Sequence, residues 1–144
     1  MSADFYLELS NTMSINLIQS IFDEFESTKI TNELKEKGRL TAYFSKSNAQ
    51  IVTLTVKDRE IYAEQYQHAK WKVGVLAAIN DRGVDDHSDI VKFIEKIIDR
   101  SSSAFILTYQ YETTYAVRAE DEPFFTVNEQ TPKWLQSSEK AIMN

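Results

Sequence analysis

The first alternation along the chain sets Phe5, Leu7 and Leu9 against Tyr6 and Glu8, the period of two that marks a half-buried strand. Thr12 or Ser14 then offers an N-cap side chain, and Ile15, Ile18, Phe22 and Phe25 follow at helical spacing. A further helical turn or two is expected over 30–37, ending at Gly38, whose missing Cβ permits a left-handed C-terminal position. Leu40, Ala42 and Phe44 alternate, and Val52, Leu54 and Val56 repeat the pattern beyond a Ser-Asn link. Lys57, Asp58, Arg59 and Glu60 read as a turn. Segment 61–69 fits a strand through Ile61 and Ala63 and a helix through Tyr62, Tyr66 and Ala69; strand is the preferred reading. Residues 73–79 are apolar at both parities, as in a central strand.

Asp86, His87, Ser88 and Asp89 open the clearest helix, with Ile90, Phe93, Ile94, Ile97 and Ile98 as its buried stripe. Three serines at 101–103 end it. Residues 104–111 and 113–119 read as two strands and 124–127 as a short edge strand. Thr131 and Pro132 begin a last helix with Trp134, Leu135 and Ile142 behind them. Strands in consecutive runs predict an α+β domain over residues 1–144: a largely antiparallel sheet of five to seven strands with two or three helices packed on it.

Length and composition change this picture little. The 144 residues suit one domain, and 42% hydrophobic with 26% charged residues is an ordinary globular balance. The absence of cysteine removes disulfides, thiolate nucleophiles and Cys-zinc sites and suits a reducing compartment. The acidic start MSADFYLELS lacks the positive region of a signal peptide, and no apolar run approaches a membrane span, so a cytoplasmic protein is expected. The net charge of −6 is uneven: residues 35–72 carry eight bases against four acids, between two acidic flanks. Without a dense Lys/Arg run the base-rich stretch makes a poor nucleic-acid footprint, and the flanks suggest a basic partner or simple solubility.

The residues give no catalytic assignment. His68 and His87 sit near no G-x-S-x-G elbow, and Gly38, Gly74 and Gly83 are too isolated to cradle a phosphate. The acid-rich run 81–89 lacks the spacing of an EF-hand loop and is better read as acids at the positive end of the following helix, so no metal or other cofactor is expected. Glu8, Glu64 and Glu112 remain open as strand carboxylates that could face a common pocket.

A surface signal is stronger. Tyr109, Tyr111 and Tyr115 alternate across two strands, followed by Glu120, Asp121 and Glu122, then Pro123, Phe124 and Phe125. Tyrosine combines rigid apolar area with a hydroxyl, as binding hot spots favour, and three adjacent acids are costly to bury. The same pattern also fits a solvated hairpin with its aromatics inward. Asp23, Glu24 and Glu26 form a second acidic patch, at the negative end of the first helix if it ends near Ser27.

Acids beside aromatics in a small cysteine-free α+β chain, carried here by Glu112, Tyr115, Glu120, Asp121, Glu122, Phe124 and Phe125, resemble the immunity proteins of bacterial toxin systems, including the contact-dependent inhibition type. The resemblance implies tight binding to a basic toxin domain, often a nuclease, and blockage of its active site. The alternative is a small-molecule-binding or carboxylate-dependent enzyme module.

Overall fold

The computed structural model describes residues 3–26, 28–82 and 85–144. Strand β1 (Ala3–Ser10) leads into helix α1 (Ile15–Phe22), where the Ser14 hydroxyl accepts the Asn16 N–H. Strand β2 (Lys29–Glu33) and the single turn α2 (Leu34–Lys37) follow, and Gly38 closes that turn at φ 61°. Strands β3 (Arg39–Tyr43), β4 (Gln50–Arg59) and β5 (Val73–Asp81) precede helix α3 (Ser88–Arg100). Strands β6 (Phe105–Tyr109), β7 (Thr113–Arg118) and β8 (Phe125–Val127), the turn α4 (Lys133–Gln136) and strand β9 (Ala141–Met143) complete the chain.

All nine strands form one sheet in the order β2-β3-β4-β5-β1-β6-β7-β8-β9. Neighbours are antiparallel except β8 and β9, which run parallel. The expected sheet of five to seven strands is therefore corrected to a mixed sheet of nine, and the two or three helices to four short ones. Two strands escaped the sequence pattern. Residues 29–33 pair with β3, Ile30 opposite Ala42, so half of the expected helix over 30–37 is strand and only one turn remains. β9 adds beyond β8, which makes 125–127 an inner strand and not an edge. Segment 61–69 is no strand: it holds one 3-10 turn at Glu64–Tyr66, within a strap from 60 to 72 that crosses the sheet.

Helices α1, α3 and α4 cover one face. Leu7, Leu9, Ile51, Ala77, Ile79 and Phe105 point there and share a cluster with Ile18, Phe22, Phe93, Ile97 and Leu135. Phe22 stacks on Phe93 with centroids 5.2 Å apart, and both meet Phe44 edge-on at 5.9 Å. At the N-terminus of α3, Asp86 accepts both the N–H and the hydroxyl of Ser88, and those bonds hold its carboxyl below the usual range. Asp89 is buried and accepts the N–H groups of Lys46 and Ser47, which ties α3 to the β3–β4 turn.

Candidate protein-docking face

The opposite face is covered only in part. Period-two alternation sends Tyr6 and Glu8 of β1, Thr41 and Tyr43 of β3, Val52 and Leu54 of β4, and Leu76 and Ala78 of β5 to this side. Pairing sets them in rows: Thr41, Val52, Ala78, Tyr6 and Thr108 lie side by side, as do Arg39, Leu54, Leu76, Glu8 and Ile106. A solvated sheet face normally carries polar side chains, yet four of the outward positions of β4 and β5 are Val, Leu, Leu and Ala. The strap buries Ile61, Ala63, Val73 and Ile106, with Val117 and Trp71 against them, and leaves Val52, Leu54, Leu76 and Ala78 half-buried.

One carboxylate fastens the strap. Glu8 stands on the fifth of nine strands and is fully buried. Its oxygens accept the N–H of Tyr62 at 2.7 Å, the N–H of Ala63 at 3.0 Å and Arg59 Nη2 at 3.2 Å. Burial raises its pKa, against the pull of those two backbone donors and of Arg59. The Arg59 guanidinium lies 3.7 Å from the Tyr62 ring centroid, a cation–π contact.

Three tyrosines from distant segments gather over this anchor. Tyr6 and Tyr111 stack at 4.3 Å with rings 3° from parallel, and Tyr62 meets Tyr111 edge-on at 5.5 Å. Burial pushes the Tyr111 hydroxyl up to about 12. Tyr111 owes its place to a tight turn in which Glu112 N–H donates to Tyr109 C=O and both central residues have positive φ, Gln110 at 52° and Tyr111 at 65°. Such a turn normally takes Asn-Gly, because a left-handed residue with a Cβ costs about 1–2 kcal/mol. Strain of this kind persists where position outweighs stability. Almost half of Tyr62 and 40% of Tyr43 remain exposed.

The expected site residues are divided by this geometry. Tyr109 pairs with Phe5 and lies on the helix side, whereas Tyr111 lies on the open side with Tyr6. Opposite Leu107 and Thr108, β7 offers Ala116 and Thr114, so Tyr115 is the extra residue of a β-bulge. That bulge turns its ring to Phe5, 5.7 Å away, and burial raises its hydroxyl pKa. The alternation of 109, 111 and 115 along one side is thus broken twice, by the turn and by the bulge. Phe125 is fully buried, 6.3 Å from Phe105, and has no face to offer a partner; Phe124 is half-buried. Glu112 is exposed beside Tyr111, but Glu120, Asp121 and Glu122 lie past the other end of β7, six residues or ~20 Å away. There Arg118 donates to the carbonyls of Ile98, Ser101, Ser103 and Glu122, binding the acidic loop to the end of α3. Asp23, Glu24 and Glu26 follow the end of α1 at Phe22, and Glu24 pairs with Lys96 and Arg100 of α3. Ser27, Gly83 and Val84 lie outside the described residues.

The carboxylates Glu8, Glu64 and Glu112 do not share a pocket: the first is buried beneath the strap, and the other two are exposed, one on the strap and one in the β6–β7 turn. His87 stacks on Trp134 at 4.3 Å and bonds Asp81 at 3.2 Å. Among the described residues, no three His, Asp or Glu side chains converge to hold a metal, and no helix is long and apolar enough to cross a membrane. The signal that pointed to the open face was the apolar run 73–79, which reads as a strand that needs cover on both sides. No protein-family model, curated protein or solved structure matches this chain.

Proposed function

We propose that this chain is an inhibitor of the immunity type, which docks a basic protein toxin domain on the open face of its sheet and blocks that domain's active site inside the cell. The observation that carries this reading is the apolar run of Val52, Leu54, Leu76 and Ala78, continuous with the tyrosines, half-buried and outside both core clusters of the described residues. Contiguous apolar surface flanked by rigid aromatics is the composition of an interface core. The tyrosines are held before any partner arrives, so little ordering cost accompanies docking. The net charge of −6 draws in a basic partner and speeds the encounter.

The test is direct binding of a basic, toxic product encoded next to this chain. The reading expects a complex whose association slows as salt rises, and whose affinity falls about 100-fold in Leu54→Glu, the scale of a hot spot. A complex that forms equally well with Leu54→Glu and Leu76→Glu, or a toxin that stays active within it, overturns the reading.

A further inference from the structure

We infer that two copies of this chain pair through β2, antiparallel about a twofold axis at Thr31, so that one sheet runs on into the other. Among the described residues β2 ends the sheet and pairs with β3 alone. The β3–β4 hairpin fixes which of its backbone groups are free. Phe44 N–H donates to Ala49 C=O and Thr55 N–H to Gly38 C=O, so Leu40 and Ala42, in phase with them, turn their backbone groups towards β4. Arg39, Thr41 and Tyr43 therefore bond Glu33, Thr31 and Lys29 of β2, and the N–H and C=O groups of Ile30 and Asn32 point outward. No hydrogen bond among the described residues takes them. A row of free groups is a template for another strand, and β2 has neither the proline nor the bulge that commonly blunts an edge.

The residues of β2 match themselves in reverse. With the axis at Thr31, Ile30 exchanges both backbone bonds with Asn32 of the second copy, Thr31 faces Thr31, and Lys29 faces Glu33. Sliding one copy by two residues sets Thr31 opposite Lys29 or Glu33 and loses the charge match. Glu33 keeps Arg39 and Lys37 as partners in its own chain, so the incoming Lys29 joins a network. On the helix side Phe25, Ile30 and Leu34 pack at the rim of the core and stay only partly buried. The axis makes the two Ile30 side chains diagonal neighbours there. The flanks also differ in sign: Asp23 and Glu26 precede the strand, Lys35 and Lys37 follow it, and antiparallel pairing sets one flank beside the other. β9, at the far edge, is three apolar residues with no charge to fix a register. Pairing runs in the plane of the sheet and leaves the open face clear, so the inference does not rest on the docking reading.

Sedimentation velocity of the full chain, from about 5 to about 500 µM, should show monomer passing to dimer, since so small an interface is a weak one. The chain has no cysteine, so Thr31→Cys reports on the axis itself. Residues opposed outside the hydrogen-bonded pairs stand close enough for a disulfide, and oxidation should link Thr31→Cys and not Ile142→Cys. Lys29→Glu and Glu33→Lys should each weaken the dimer about tenfold, and an equimolar mixture of the two should restore it as a heterodimer. A monomer at every concentration, a dimer that Lys29→Glu leaves unchanged, a mixture that fails to pair, or linkage through Ile142→Cys in place of Thr31→Cys overturns the inference. All of these are read without a toxin domain, so the docking reading stands or falls separately.

Discussion

On the helix-covered face Phe22, Phe44 and Phe93 pack ring to ring among fully buried aliphatic side chains, whereas on the opposite face the strap is fastened through Glu8 beside a half-buried strip of apolar residues. The first face is held by area and close packing, which are spread over many residues and tolerate no cavity. The second is held by polar bonds concentrated on one buried group, over a smaller apolar cluster. The difference teaches where stability and function separate. The helix side sustains the fold, and the strap side keeps tyrosines in place on a surface the fold does not itself need to bury.

The comparison is broken hardest from the helix side. Phe93→Ala removes a ring from the centre of the aromatic cluster and should cost about 3–5 kcal/mol, read as a lower denaturant midpoint with every core amide affected. Glu8→Gln puts an NH2 group among donors and should cost about 1–3 kcal/mol, with faster hydrogen exchange concentrated at 60–72 and little change in α3. The same substitution tests the pH sign. Because the folded pKa of Glu8 is raised, its contribution is fully present below the unfolded carboxylate value and is lost as pH rises through the folded one. The stability gap between wild type and Glu8→Gln should therefore narrow as pH rises through that window. Asp86 behaves oppositely: its lowered pKa gives stability that is present above the unfolded carboxylate value and lost as pH falls.

The smallest expected effect is a gain. Gln110→Gly relieves a left-handed residue that costs about 1–2 kcal/mol and adds roughly 0.5–1 kcal/mol of backbone entropy loss, for a net stabilisation of about 0.5 kcal/mol by thermal melting. It should also loosen the hold on Tyr111 and so weaken the proposed docking, a trade of position for stability.

Much of the helix side was legible in the chain. The stripe from Ile90 to Ile98 and the alternation of Phe5, Leu7 and Leu9 follow local periods, and local periods survive folding. The strap was not legible, because its shape is set by Glu8, more than fifty residues earlier, which takes the N–H groups that a strand at 61–69 would need. β2 was missed because Ile30 is its one apolar residue, and β9 because its three residues are all apolar, so neither alternates. Of the expected patch, Glu112 stands beside the tyrosines, while Tyr115 was turned away by a bulge and Phe125 by burial. A period of two cannot foresee an inserted residue. Tyr6, Tyr62 and Tyr111 are brought together by pairing and by a left-handed turn that carries no glycine, so no turn motif announced them.

Oxidative footprinting of the chain, alone and bound to the proposed basic partner, tests the central claim most directly. Tyr43, Tyr62 and Leu54 should react in the isolated protein and become protected in the complex, while Phe124 in the acidic loop reacts equally in both. Protection of Phe124 with Tyr43, Tyr62 and Leu54 still reactive would place the partner elsewhere and contradict the account.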